Sequence, residues 1–211
     1  MKSIKNFFYL KKGITYLNHG SCGACPKVIF KNYQKWQVKL ETQPVKFLTD
    51  ELYIALRNSR ESLSAFLGCK DDEILFFQNP TTAISNIIYN LDLAPYDEVL
   101  MTNHEYGALV RAWDVWGRKN KVTIKNAKIN LPLESQNKFF DDIAKRISSK
   151  TKVLFLSHIT SPTGLVFPIK EIVEFARQKK IITIVDGAHV PGHIDLNTVS
   201  YTHLTLPTTK N

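Results

Sequence analysis

Asp186-Gly187-Ala188-His189 closes the apolar run Ile181 to Val185 with a carboxylate and then an imidazole. A carboxylate at the end of a buried strand is costly unless something cationic meets it. A protonated pyridine nitrogen is one such partner and Mg²⁺ is another; the plainer alternative is that Asp186 caps the next turn. Asn79-Pro80-Thr81-Thr82-Ala83 brings two hydroxyls and free backbone N–H groups to the start of a helix. That chemistry suits an anion, phosphate above all, although Thr capping alone also accounts for it. Asn103-His104-Glu105-Tyr106-Gly107 supplies an aromatic ring and an imidazole, Tyr106 serving as a packing residue or as a platform for a ligand ring. The segment Ser157-His158-Ile159-Thr160-Ser161-Pro162-Thr163-Gly164 is a polar loop rich in hydroxyls, either a turn or a site wall.

These groups need elements that bring them to one place. Short apolar runs predict buried strands at Ile74 to Phe77, Val99 to Thr102, Val122 to Ile124, Val153 to Ser157 and Ile181 to Val185. Helical spacing predicts helices over 27–41, with Pro26 placed to start one, and through Leu52, Leu56, Leu63 and Leu67. Thr49 or Asp50 is the expected cap of the second helix and Gly68 its stop. Further helices are expected over 81–91, 106–118, 137–149 and 168–180. Strand and helix in alternation imply an α/β fold with a mainly parallel sheet covered on both faces. Ligands of such sheets sit at the carboxyl ends of the strands. Each group named above falls just after a predicted strand, so the pattern places all of them around one cleft.

Composition narrows the class. With 211 residues, 44% hydrophobic and 22% charged, the chain has the usage of a globular protein large enough for a core without staples. No apolar run approaches the roughly 18 residues of a membrane-spanning helix. The basic N-terminus lacks a signal-peptide cleavage pattern, so the expected compartment is the cytoplasm. A net charge of +9 invites a nucleic-acid reading. The lysines are scattered, however, and Arg118-Lys119-Asn120-Lys121 resembles a solvated helix end, so neither nucleic acid nor a membrane is an expected partner. Cys22-Gly23-Ala24-Cys25 is formally a C-x-x-C, yet Cys69 stands alone and no second ligand pair exists for zinc. The motif also lacks the preceding strand of a thioredoxin-like redox site. It reads as small residues in a tight loop, and no metal site is assigned.

Asn18-His19-Gly20-Ser21-Cys22-Gly23-Ala24-Cys25-Pro26, Asn79 to Ala83, His104-Glu105-Tyr106, Ser157 to Gly164 and Asp186 to Gly192 together resemble the class V aminotransferase-fold enzymes. The similarity is to the isopenicillin N epimerase-like branch, related to the cysteine desulfurases, and spans roughly residues 14–197. It implies the aspartate aminotransferase-like fold type I of pyridoxal 5'-phosphate (PLP) enzymes, a small amino acid or amine as substrate, and a homodimer. By the same resemblance Thr81 and Thr82 hold the cofactor phosphate, and Tyr106 stacks on the pyridine. Asp186 pairs with the protonated ring nitrogen, keeping the cofactor an electron sink for a carbanion at the substrate Cα. His189 meets the 3′-oxygen of the ring, Ser161 faces the same oxygen or the substrate, and Asn18 and His19 border the substrate pocket. A desulfurase-like enzyme and a non-catalytic protein on the same fold stand as the alternatives.

One departure stands out. The family's Schiff-base lysine lies in a His-Lys segment downstream of the Asp-Gly-Ala-His strand, and this chain has no His-Lys dipeptide. Its only lysine after Asp186 is Lys210. From about Thr198 the composition turns Thr-rich and almost uncharged, so residues 199–211 are expected to be a foreign tail. The expected organisation is an N-terminal segment over 1–50 and a partial PLP-binding large domain over 51–198. A chain so built is expected to hold PLP weakly and not to turn over.

Overall fold

The computed structural model describes residues 4–195; the predicted foreign tail and Lys210 lie outside them. The chain divides into two compact units, Met1–Leu63 and Ser64–Asn211, with the division inside one helix.

In the first unit, α1 spans Lys27–Thr42 behind Pro26, whose extended ψ of 142° sets the entry. The next helix begins earlier than the predicted Thr49 or Asp50 cap. Pro44 opens α2, Pro44–Lys46, which passes through one wide turn, Phe47–Glu51, into α3, Leu52–Leu67. Pro44 fits an N-terminal position because its missing N–H has no helical partner there. The Thr49 hydroxyl instead donates to the Val45 carbonyl, one turn back inside the helix. Gly68 stops α3 as expected, with φ +69° and its N–H on the Ser64 carbonyl.

The second unit is a four-stranded parallel sheet in the order β2-β1-β3-β4. Its strands are β1 Glu98–Thr102, β2 Thr123–Ala127, β3 Thr151–Ser157 and β4 Ile182–Asp186. Helices α4 Pro80–Tyr89, α5 Gly107–Asn120, α6 Gln136–Ala144 and α7 Lys170–Gln178 complete it. Alternation along the strands feeds two cores. Val99, Met101, Val153, Phe155 and Ile184 pack with α4 and α5 through Ile84, Ile88, Leu109 and Trp113. Leu100, Leu154 and Leu156 pack with α6 and α7 through Phe139, Ile143, Ile172 and Ala176. Every residue of β1 is buried, as a strand covered on both faces requires.

The strand expected at Ile74 to Phe77 does not form. Ile74 has extended torsions and is buried, but Leu75 is 79% exposed and Phe76 and Phe77 stay open. An apolar run becomes a strand only by pairing, and among the described residues no strand lies beside it. The other four expected strands are present within a few residues.

Connectivity fixes where the crevice falls. From β1 the chain runs through α5 to β2 on one side; from β3 it runs through α7 to β4 on the other side and the other face. The order therefore reverses between β1 and β3, and a crevice opens outside the carboxyl ends of those two strands.

Candidate active site

Four segments leave the sheet at this edge. β1 ends at Thr102 and leads into Tyr106, which takes the N-cap position of α5 with its ring 43% exposed. The ring makes no aromatic contact among the described residues. β3 ends at Ser157 and β4 at Asp186, and these two residues face each other in register. The His158 N–H continues the pairing to the Asp186 carbonyl at 3.0 Å.

Asp186 is 7% exposed, and its Oδ1 accepts the Ala188 N–H at 3.0 Å. Among the described residues no lysine, arginine or histidine forms an ion pair with it. A buried carboxylate answered by one amide fits a cationic ligand atom. The local turn that Asp186 was alternatively expected to cap is also present, so both readings of this residue describe its surroundings.

At the start of α4 the cap is Asn79, not a threonine. Its Oδ1 accepts the Thr82 N–H at 2.8 Å and the Thr82 hydroxyl at 3.1 Å. Pro80 brings no N–H, so Thr81 is the residue of this turn whose polar groups the cap leaves alone. Packing of α4 on α5 ties this turn to the rest of the unit, but no described hydrogen bond links Thr81 or Thr82 to Tyr106 or Asp186. Ser161 is exposed in the loop after β3, while Thr160 and Thr163 share a hydroxyl contact at 2.6 Å that braces the turn at Gly164, φ +66°. His189 is half-buried beyond β4, its carbonyl bonded to the His193 ring.

Asn18 and His19 belong to the first unit. The Asn18 carbonyl accepts the Cys22 N–H at 3.0 Å, closing the turn before α1. The His19 ring packs against Tyr16 at 4.8 Å and Phe8 at 5.6 Å between centroids, with its Nδ1 accepting from the Ala24 N–H. Both residues thus shape the Cys22–Cys25 loop.

Glu105, to which its place in the sequence assigns no task, is the most densely bonded side chain of this edge among the described residues. One carboxylate oxygen takes the Thr102 hydroxyl at 2.5 Å, and the other takes the Ser157 hydroxyl at 2.6 Å and the Ser157 N–H at 2.7 Å. Burial pushes its carboxyl above the ordinary value, outweighing the Ser157 and Thr102 donors. Burial likewise holds the neighbouring His158 imidazole below its ordinary value, favouring the neutral ring. The signal available beforehand was an acid directly before the aromatic residue that follows a strand.

In a parallel α/β sheet the carboxyl ends of the strands at the switch point are where ligands bind. The chain belongs to the class-V aminotransferase family, whose model matches residues 15–203 and whose members depend on PLP. It is 30% identical over 191 residues to the isopenicillin N epimerase of Amycolatopsis lactamdurans, covering 89% of this chain and 48% of that protein. A probable chloroplastic L-cysteine desulfhydrase of Arabidopsis thaliana is 26% identical over 196 residues, 86% of this chain and 41% of the relative. Among solved structures, the C-S lyase C-DES in a mutant form with glycine linked to its PLP cofactor superposes with a TM-score of 0.83. The identity there is 22%, covering 92% of this chain and 52% of that one. An apo cysteine desulfurase from Thermococcus onnurineus superposes at 0.80, with 19% identity and 93% and 50% coverage. The fold is therefore that of the PLP-dependent desulfurases, and the chain spans about half the length of the curated relatives it matches.

Proposed function

We propose that this chain supplies the cofactor-holding edge of a PLP-dependent enzyme that acts on an amino acid or amine, by epimerisation, transamination or C–S cleavage. The observation that carries the reading is Asp186: a buried carboxylate at the end of β4, with no cation beside it among the described residues. When bound, the cofactor supplies an electron-accepting ring for bonds broken at the substrate Cα. Asp186 holds the proton on the ring nitrogen. Tyr106 covers one face of the ring and keeps water from it. Thr81, with the N-terminal turn of α4, receives the phosphate, and the Asn79–Thr82 bonds hold that turn in shape. Ser161 and His189 stand at the 3′-oxygen side. The same reading takes Asn18 and His19 to the border of the substrate pocket, and the whole protein to a homodimer. Support for the dimer comes from α1, which buries none of its residues and leaves Val28, Ile29, Tyr33 and Val38 open.

No lysine occurs between Asp186 and Thr209, so on this reading the 211-residue chain binds the cofactor without turning over an amino acid. The test is a PLP titration of the chain followed by absorbance, with pyridoxal as the phosphate-free control. Saturable binding is expected, weaker for pyridoxal and lost in Asp186→Ala. Equal binding by Asp186→Ala, or no saturable binding, overturns the proposal. Borohydride reduction and peptide mapping test the second part: a stoichiometric adduct on one lysine together with turnover defeats it.

A further inference from the structure

β1 and β3 send the chain to opposite sides of the sheet, so a crevice lies between their carboxyl ends. Among the described residues, Glu105 is the side chain that hydrogen-bonds to both ends, while the His104 ring meets Phe167 beyond β3 at 5.7 Å between centroids. Both oxygens of Glu105 act only as acceptors. Oε1 faces the Thr102 hydroxyl and, at 3.3 Å, the Thr102 N–H. Oε2 faces the Ser157 hydroxyl and N–H, and Ser157 lies 52 residues away in the chain. The Thr102 hydroxyl in turn accepts the His104 N–H at 3.2 Å, which tightens the turn that carries Glu105 itself.

We propose that Glu105 is a positioning residue of this site, whose carboxylate clamps the ends of β1 and β3 and so sets the Tyr106 ring relative to Asp186. The chain of contacts is short. Glu105 precedes Tyr106; Glu105 bonds Ser157; Ser157 pairs in register with Asp186. Tyr106 pairs with no other ring among the described residues, and its backbone, at the N-cap of α5, follows directly on the held Glu105. The ladder between β1 and β3 is already closed by pairs from Glu98↔Thr151 to Met101↔Phe155, so strand pairing does not need the clamp. A buried carboxyl without a cation is moreover an expensive tie. Its use is the one thing an apolar pair would not give: two acceptors that fix two separate strand ends.

This arrangement predicts a chemically narrow requirement. Glutamine has the same shape, but its NH₂ group would face donors at either strand, leaving one end unsatisfied. The inference rests on the PLP reading, and its test separates the two. The 211-residue chain is titrated with PLP as wild type, Glu105→Gln, Tyr106→Ala and the double variant. Amide hydrogen exchange is measured on each in the absence of cofactor. Glu105→Gln is expected to weaken PLP binding about tenfold, and to add no more than roughly twofold in the Tyr106→Ala background. Exchange is expected to quicken at residues 104–107 and 157–160, with α7 unchanged. Ser157→Ala removes one donor from the same carboxylate and serves if Glu105→Gln fails to fold, with about threefold weaker binding expected. Full additivity of the two variants, or unchanged exchange at both segments, overturns the clamp. If the wild type binds no PLP, the cofactor reading fails, and the exchange data alone decide whether Glu105 holds the two strand ends.

Discussion

Two buried glutamates bracket β1, and they are treated in opposite ways. Glu98, at the amino end, accepts the Lys125 ammonium at 2.7 Å, with the Ser148 and Thr151 hydroxyls also on its carboxylate. Burial pushes this carboxyl up, but Lys125 and the hydroxyls outweigh it and hold it below the ordinary range. Glu105, past the carboxyl end, has hydroxyls and amides but no ion-pair partner among the described residues, and there burial wins. Both residues join β1 to the β3 region. The difference is the cation: among the described residues Glu98 has an ion-pair partner in Lys125, whereas Glu105 and Asp186, at the carboxyl ends, have none. On the proposed reading, a protonated cofactor ring beside Asp186 would supply a cation there.

The sharpest way to break this contrast is Asp186→Ala, which is expected to weaken PLP binding by about 3 kcal/mol, more than a hundredfold, with little change in Tm. Loss of stability without loss of binding would place Asp186 with Glu98 as a structural acid. Next in size is Gly117→Ala near the amino end. A Cβ there would sit 2.9 Å from the Ile124 side chain and 3.0 Å from the Val122 carbonyl. It should cost about 1–3 kcal/mol in thermal denaturation while PLP affinity stays the same. Glu98→Ala should cost about 1–2 kcal/mol, again without altering PLP affinity.

Acid and base titration should also tell the two glutamates apart. Glu98 has a lowered folded pKa, so its contribution is present above the ordinary value of 4.5 and is lost as pH falls through the folded value. Glu105 has a raised one, so its contribution is complete below 4.5 and is lost as pH climbs through the folded value. Glu98→Gln should therefore flatten the acid limb of a stability profile, and Glu105→Gln the limb above 4.5. Profiles that change in the same direction would remove the distinction. The smallest effect is Lys121→Gly. Lys121 closes α5 in the left-handed region at φ 58°, and glycine there should gain about 0.5–1 kcal/mol with no effect on PLP.

Much of this was readable from residue types. The runs Val99 to Thr102, Val153 to Ser157 and Ile181 to Val185 announce buried parallel strands because they are apolar on both faces. Asp186 announces itself because an acid closes such a run. Ile74 to Phe77 has the same local look, yet it remains unpaired among the described residues. Propensity reports torsions, and a ladder needs a neighbour. The helix expected at Thr49 began at Pro44 because a proline tolerated at a helix start outranks a nearby hydroxyl that is free to bond backwards.

Glu105 shows the other limit. In sequence it is a polar residue in a turn beside an aromatic ring, and nothing nearby marks it as buried. Its second pair of donors comes from Ser157, which only the crossing of β1 and β3 brings alongside. The sequence by itself determined the class of fold, the family and the acid at the end of β4, because apolar patterning and local motifs are short-range properties. Tertiary structure alone decided where the strand order reverses, which glutamate received a lysine and which did not, since both depend on residues about thirty to fifty positions apart meeting across a sheet.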